Sequence, residues 1–212
     1  MNSEMLDNNK VYLQGTVETE PELNHTVMGD EFYSFKLRVP RLSGQCDIIP
    51  ITISGRFLQV EPIQVGDKLA IRGQFRSYNK VENDKRKLML SVFVQELLEW
   101  DDTANPNVIE LCGYICKPAI YRTTPFSRQI CDVLLAVNRN YNKSDYIPCI
   151  AWGSTAQLVS KLDVATKLNI TGRIQSREYN KHIEGLEIPI TKVAYEVSVS
   201  RFQREDNEPT IM

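Results

Sequence analysis

Apolar and polar residues alternate with a two-residue period through much of this 212-residue chain, a pattern that predicts strands rather than helices. The alternation is clearest from Val133 to Gly153, where two such runs flank a polar loop at Asn140–Ser144. The second run places Tyr146 and Trp152 on one strand face and aliphatic residues on the other. This stretch therefore predicts a strand pair with one face in a core and two rings on the opposite face.

The same arrangement of apolar and polar residues occurs 98 residues earlier, from Phe35 to Gly55. A repeat at this offset predicts two units of about 100 residues, each large enough for a core of its own. Each unit shows five strand patterns with a short helical segment between the third and the fourth, an order typical of the OB-fold. We therefore predict an all-β protein of two tandem OB-folds, each a five-stranded barrel with a short helical insert.

The predicted boundaries follow from the linker composition, which is acidic and contains an Asn-Pro-Asn turn. They are residues 9–100 for the first barrel, 101–107 for the linker, 108–202 for the second barrel and 203–212 for an acidic tail. An acidic loop is predicted after the first strand, and Ser154 is predicted to cap the second helical insert.

Four glycines inside predicted strands indicate bends or bulges at corresponding places in the two units. They are Gly15 and Gly73 in the first unit and Gly113 and Gly172 in the second.

Charge differs between the two halves of the chain although the net charge is only −2. Residues 1–105 hold 12 Lys and Arg against 16 Asp and Glu, whereas residues 106–202 hold 12 against 8. If one half contacts a polyanion, charge favours the second.

Cysteine and histidine positions argue against metal binding and catalysis. The five cysteines are odd in number and no secretory pattern opens the chain, so we expect a reduced, cytoplasmic protein. Cys112 and Cys116 have no second Cys or His pair at ligand spacing, and His25 and His182 have no catalytic partner at motif spacing. We expect no cofactor, no metal and no enzymatic activity. No apolar run approaches 18 residues, so no membrane contact is expected.

Three segments of the second unit carry a family resemblance. They are Leu-Ala-Val-Asn-Arg at 135–139, Asp-Tyr-Ile-Pro-Cys-Ile-Ala-Trp-Gly at 145–153 and Leu-Asn-Ile-Thr-Gly-Arg-Ile-Gln-Ser-Arg-Glu-Tyr at 168–179. In these segments the unit resembles the bacterial single-stranded DNA-binding protein (SSB) family over most of residues 108–200. The first unit resembles the family only in its skeleton, with Ile48 and Ser54 where rings would stand.

The resemblance implies that bases of single-stranded DNA stack on aromatic side chains of the second unit. A sequence-neutral binder needs flat rings along a groove and cations beside them. The second unit supplies both, at Tyr141, Tyr146, Trp152, Tyr179, Arg139, Lys143, Arg173, Arg177 and Lys181. The first unit adds Tyr78 and Arg76. Two alternatives stay open at this point: Trp152 could belong to a barrel core, and Tyr141 could simply be an exposed loop residue.

The predicted function is therefore sequence-independent binding and protection of single-stranded DNA in replication, recombination or repair. The second barrel would carry the stacking and the first would mainly hold the assembly together. Since SSB proteins commonly work with four OB-folds, the resemblance implies a homodimer, with replication and repair enzymes as candidate partners in the nucleoid. The alternative is an OB-fold adaptor that acts mainly through protein–protein contacts.

Overall fold

The structure of the protein is a computed structural model that describes residues 7–82, 85–181 and 190–205. Within these ranges the chain forms twelve strands and two short helices, which confirms the all-β prediction. Residues 206–212 of the tail predicted at 203–212, and His182, lie outside the described residues.

The first half of the chain contains six strands, with a helix between the fourth and the fifth. Their bounds are β1 Asn9–Val17, β2 Glu22–Val27, β3 Asp30–Pro40, β4 Cys46–Ser54, α1 Gly55–Val60, β5 Lys68–Glu82 and β6 Lys85–Leu98.

The second half repeats this order. Its elements are β7 Asn107–Ile115, β8 Ile120–Thr123, β9 Gln129–Arg139, β10 Lys143–Trp152, α2 Gly153–Val159, β11 Lys167–Lys181 and β12 Ile190–Arg204. Five strands of each half match the predicted OB-fold order. The additional strands β2 and β8 pair with β3 and β9, so the predicted acidic loop is in part a strand.

Each half closes into a barrel because its first strand pairs with two others. β1 pairs with both β5 and β3, and β7 pairs with both β11 and β9. Glycine is required at the closure: a Cβ on Gly113 would stand 2.5 Å from the Ala136 carbonyl oxygen. A Cβ on Gly15 would stand 2.4 Å from the Arg38 carbonyl oxygen, and because the pairing of Gly15 with Leu69 is regular, the strand has no bulge there and the alternative, a bend, stays a prediction.

The other two strand glycines lie at true bulges. The β5–β6 register shifts between Arg72 and Gly73, and the β11–β12 register shifts between Thr171 and Gly172. In each case the extra residue is on the partner strand, Gln95 of β6 and Ser200 of β12, so the bulge lies opposite the glycine.

A direct strand pair joins the two barrels. Residues 9–13 of β1 pair antiparallel with residues 107–111 of β7, and the described strands form one twelve-stranded sheet. Each barrel keeps a core of large aliphatic side chains, with Leu13, Ile51 and Phe75 fully buried in the first and Ile109, Leu135 and Ile147 in the second. The sequence patterns did not predict the β1–β7 pairing.

The two helices begin in different ways, and the second does not begin as predicted. Ser54 caps α1 by accepting a hydrogen bond from the Arg56 amide. The predicted cap Ser154 instead lies inside α2, whose N-cap is Trp152 and has no side-chain hydrogen bond. The Ser154 prediction is therefore wrong, since the helix starts at Gly153, two residues before the start that a cap at Ser154 requires.

Candidate nucleic-acid interface

The outward face of β10 carries two exposed rings. Tyr146 is 44% exposed and Trp152 is 36% exposed, whereas Ile147 and Cys149 on the opposite face are buried. The Trp152 Nε1–H donates a hydrogen bond to the Ser198 hydroxyl at 3.1 Å, which fixes the orientation of the indole. Trp152 is thus a surface residue of the barrel and not part of its core.

A third ring lies on the outward face of β11. Tyr179 is 38% exposed, and the guanidinium carbon of Arg177 lies 5.9 Å from its ring centroid. The Arg177 Nε lies 3.4 Å from a carboxylate oxygen of Glu196 on the neighbouring strand. This face therefore combines a ring with a cation that is half-exposed and loosely paired.

A cleft of about 300 Å³ separates the β9–β10 loop from the first barrel. Its lining includes Tyr141, Arg139 and Lys143 from the second barrel and Arg76 from the first. We call this space the interbarrel cleft. Tyr141 is 87% exposed and has a left-handed backbone (φ +63°), a conformation that a tight hairpin loop imposes. Four of the predicted site residues, from both barrels, therefore converge here.

Arg76 connects this cleft to the surface of the first barrel. Its guanidinium carbon lies 3.8 Å from the centroid of the Phe93 ring, and its nitrogens donate to the Gln74 side-chain oxygen. Burial lowers the pKa of Arg76, and the positive charge of Arg139 lowers it further.

Two of the predicted cations are ion-paired at the seam between the barrels. Arg139 lies 3.3 Å from the buried carboxylate of Asp145, and Arg173 lies 3.2 Å from the buried carboxylate of Asp47 in the other barrel. Burial lowers the pKa of Arg173. Arg173 is thus placed to hold the barrels together.

Tyr78 is 47% exposed on the outward face of β5, but it does not occupy the place of Tyr179. Ser77 and Ser176 occupy matching positions, because each contacts the buried acid of the opposite barrel. Tyr78 follows Ser77 directly, whereas Tyr179 is the third residue after Ser176, about 7 Å further along its strand. Lys181 ends β11, and its side chain is outside the described residues.

The sequence patterns missed a row of rings on the outward face of the first barrel. His25 stacks on Phe32 at a centroid distance of 5.0 Å, and Phe32 lies 5.8 Å from Phe93, beneath Arg76. We call these four residues the first-barrel row. Phe93 stands between two valines, so alternation could not assign it to a face. Phe32 could have been found from its strand pairing, because it lies opposite Ser54, the residue that corresponds to Trp152.

Other kinds of site have no support in the described part of the chain. It contains no group of three or more His, Cys, Asp or Glu placed to hold a metal ion. None of its helices has the length and apolar character needed to cross a membrane.

The two fused barrels, with rings and cations on their outward faces, define an OB-fold binding protein. Residues 106–204 match the model of the single-strand binding protein family. The chain belongs to this family, which confirms the resemblance seen in the second unit. The family comprises binding proteins and not enzymes, as predicted.

Individual relatives align mainly with half of the chain. Single-stranded DNA-binding protein 1 of Streptococcus agalactiae serotype III (strain NEM316) is 31% identical over 113 residues, covering 49% of this chain and 69% of that protein. Single-stranded DNA-binding protein 3 of Streptococcus agalactiae serotype V (strain ATCC BAA-611 / 2603 V/R) is 35% identical over 97 residues, covering 42% and 70%.

A solved structure resembles both barrels together. The crystal structure of the wild-type single-stranded DNA binding protein from Thermus aquaticus superposes with a TM-score of 0.74, covering 95% of this chain and 94% of that chain. Its sequence identity is 19%, so the similarity establishes the shared tandem OB-fold.

Proposed function

We propose that this protein binds single-stranded DNA without sequence preference, by stacking bases on the rings of its second barrel. The observation that carries the proposal is the outward face of β10, where Tyr146 and Trp152 are both exposed while the alternate positions are buried. An isolated exposed ring is common on protein surfaces, whereas β10 carries two exposed rings on one strand face. The names of the relatives support the same ligand.

Stacking accounts for the lack of sequence preference. Every base has a π face, and each base stacked on an aromatic residue contributes about 1–3 kcal/mol. Tyr146, Trp152 and Tyr179 would serve as stacking surfaces on the barrel, and Tyr141 would stack a base at the mouth of the interbarrel cleft.

Cations beside these rings would bind the phosphates. Lys143 is exposed in the interbarrel cleft, and Arg177 stands beside Tyr179, with its Nε 3.4 Å from Glu196. Arg139 and Arg76 add positive charge at the cleft, and Lys181 extends β11. Arg173 would act indirectly, by holding the barrels together through Asp47.

The two barrels would divide the work along the predicted boundaries, residues 9–100 and 108–202. The second would provide the principal DNA contacts, and the first would mainly support the assembly, with Tyr78 and Arg76 as its predicted contacts. Such a protein would cover single strands exposed in the nucleoid during replication, recombination or repair, where enzymes of those processes are candidate partners.

We further propose that two chains associate into a homodimer with four barrels. The outermost strands of the described sheet, β2 and β8, leave an edge unpaired, and such edges favour association with another strand. Sedimentation equilibrium checks this proposal: a mass near twice 24.3 kDa supports it, and a mass of one chain contradicts it.

The test of DNA binding is a competition experiment. A fluorescently labelled oligo-thymidine strand is titrated with the protein while its anisotropy is followed, and unlabelled single strands or duplexes of equal length are added as competitors. We expect single strands of any sequence to displace the probe and duplexes to compete poorly. Absence of binding at low salt would contradict the proposal and favour an adaptor that acts through protein contacts.

A further inference from the structure

We propose that the first-barrel row is a second stacking surface for single-stranded DNA, reached from the second barrel through the interbarrel cleft. This inference rests on the proposed function and adds the rings of His25, Phe32 and Phe93, which the sequence patterns did not assign to a binding site.

Strand pairing shows that the first barrel carries its rings on different strands from the second. Trp152 pairs with Ile130 on β9, and its counterpart Ser54 pairs with Phe32 on β3. On the other side, Ile150 pairs with Ser198, whereas its counterpart Thr52 pairs with Phe93. In the second barrel this patch of the outward face therefore has one central ring, Trp152. In the first barrel the central residue is Ser54, and the rings of Phe32 and Phe93 stand on either side of it.

Although the rings stand on different strands, both barrels present an aromatic surface to a base at this patch. In the second barrel a single indole covers it, hydrogen-bonded to Ser198. In the first barrel Phe32 and Phe93 cover it together, 5.8 Å apart and tilted by 39°. Loss of the central ring therefore does not leave the first barrel without an aromatic surface.

The row remains accessible although its members touch one another. Phe32 and Phe93 are partly exposed, and His25 at the outer end is exposed. The His25 and Phe32 rings are nearly parallel, with 13° between their planes. A core cluster would exclude solvent, whereas these rings lie on the outer surface of a sheet whose inner face already packs the barrel core.

Charge around the row is compatible with a phosphate backbone. Arg76 lies over Phe93 and supplies a planar guanidinium on which a base can also stack. The nearby acid Asp30 is ion-paired with Arg56 at 2.6 Å, which offsets its charge. Lys36 is exposed on the same face of β3, two residues inward from Ser34.

Continuity with the second barrel comes from Arg76. One side of this residue lines the interbarrel cleft beside Tyr141, Arg139 and Lys143, and its guanidinium lies on Phe93. A strand leaving the second barrel at Tyr141 would therefore meet Arg76 and then the rings of the row. The first barrel would thereby lengthen the DNA path of each chain.

Oligo-thymidine strands of two lengths distinguish DNA binding by one barrel from binding by both. A strand of about 8 nucleotides fits one OB-fold, and a strand of about 30 is long enough for two. The double variant Phe32→Leu/Phe93→Leu keeps apolar side chains but removes both π faces. We expect its affinity for the long strand to fall about 10- to 100-fold, while Trp152 quenching by the short strand is unchanged.

A matched control separates ring loss from loss of stability. Phe57→Leu makes the same change in the same barrel, at a partly buried helix residue outside the row. This control should bind both strands as wild type does. Equal long-strand affinity in wild type, control and double variant would overturn the inference while leaving the proposed function intact. Failure of the wild type to bind either strand would overturn both.

A reporter variant covers the case in which the double variant does not fold. Phe32→Trp is introduced together with Trp100→Phe and Trp152→Phe, so that the indole in the row is the sole fluorophore of its kind. Saturation with the long strand should quench its emission. Full binding by anisotropy without quenching would overturn the inference.

Discussion

The carboxylate of Asp145 in the second barrel accepts a hydrogen bond at 2.6 Å from the backbone amide of Ser77 in the first. The Ser77 hydroxyl in turn accepts a hydrogen bond from the Tyr146 amide at 2.8 Å. Asp47 and Ser176 make the corresponding contact in the other direction, with the Ser176 amide 2.7 Å from the Asp47 carboxylate. Ser77 of β5 and Ser176 of β11 thus each contact the buried acid of the opposite barrel. These hydrogen bonds join the two barrels next to Tyr146.

Truncation of this contact should loosen the whole chain. Asp145→Ala removes the buried acceptor of the Ser77 amide and leaves Arg139 without its ion pair. We expect the free energy of unfolding, measured by urea denaturation, to fall by about 3–5 kcal/mol. Asp132→Ala, which breaks the more exposed Arg122 pair, serves as the control and should cost about 1 kcal/mol or less. Similar losses in the two variants would contradict this role of Asp145.

Protonation of Asp145 should make stability depend on pH. Burial raises the pKa of Asp145, against the opposite effects of the Ser77 amide, Arg139 and Arg76. The folded protein then binds this proton more readily than the unfolded chain, whose pKa is about 3.9. Stability from this group is therefore present at low pH and lost as the pH rises through the folded pKa.

Asp145→Asn isolates that contribution, because asparagine keeps the acceptor oxygen without a titratable proton. As the pH is lowered from 7 toward 4, the wild type should gain stability relative to the variant, measured as the difference between urea midpoints. A relative loss of wild-type stability over the same range would mean that the pKa is lowered in the folded state.

Closure of the second barrel should tolerate no side chain at Gly113. A Cβ there would stand 2.5 Å from the Ala136 carbonyl oxygen, which belongs to a paired strand and cannot move freely. Gly113→Ala should lower the free energy of unfolding by about 1–3 kcal/mol. Gly44→Asn provides the control, since that loop glycine has open space around it and a left-handed φ that asparagine accepts. A fully stable Gly113→Ala variant would contradict the closure argument.

Phosphate binding in the interbarrel cleft should show in the salt dependence. Lys143→Gln removes one exposed cation of the cleft, so the slope of log affinity for oligo-thymidine against log salt should become about 0.7 less steep. Lys161→Gln, which changes a lysine after α2 that does not line the cleft, should leave the slope unchanged. An unchanged slope for Lys143→Gln would remove this lysine from the proposed DNA path.

The barrel architecture could be predicted because it is encoded locally. Two-residue alternation marks the strands, and the repeat places them in order, so Tyr146 and Trp152 were assigned to the correct strand face. The contact between the barrels could not be predicted in the same way. It depends on the β1–β7 pairing and on the contacts of Ser77 and Ser176 with the buried acids of the opposite barrels, and neither leaves a periodic mark.

The rings of the first-barrel row could not be predicted from the sequence either. Comparison of corresponding positions found Ser54 in place of Trp152 and indicated a barrel with little stacking surface. Phe32 and Phe93 lie on neighbouring strands, 22 and 39 residues away in sequence, and only the strand register brings them to this patch. Residue-by-residue correspondence cannot detect a ring that has moved to another strand.

Intrinsic fluorescence tests the central claim, that bases stack on Trp152. The chain has two tryptophans, and Trp100→Phe leaves Trp152 as the sole tryptophan, whose emission is excited selectively above the tyrosine absorption band. Titration of this variant with oligo-thymidine should give saturable quenching that high salt reverses, and Trp152→Ala should weaken binding far more than Ser54→Ala. Tight binding without any change in Trp152 emission, or equal effects of the two alanine substitutions, would contradict the account.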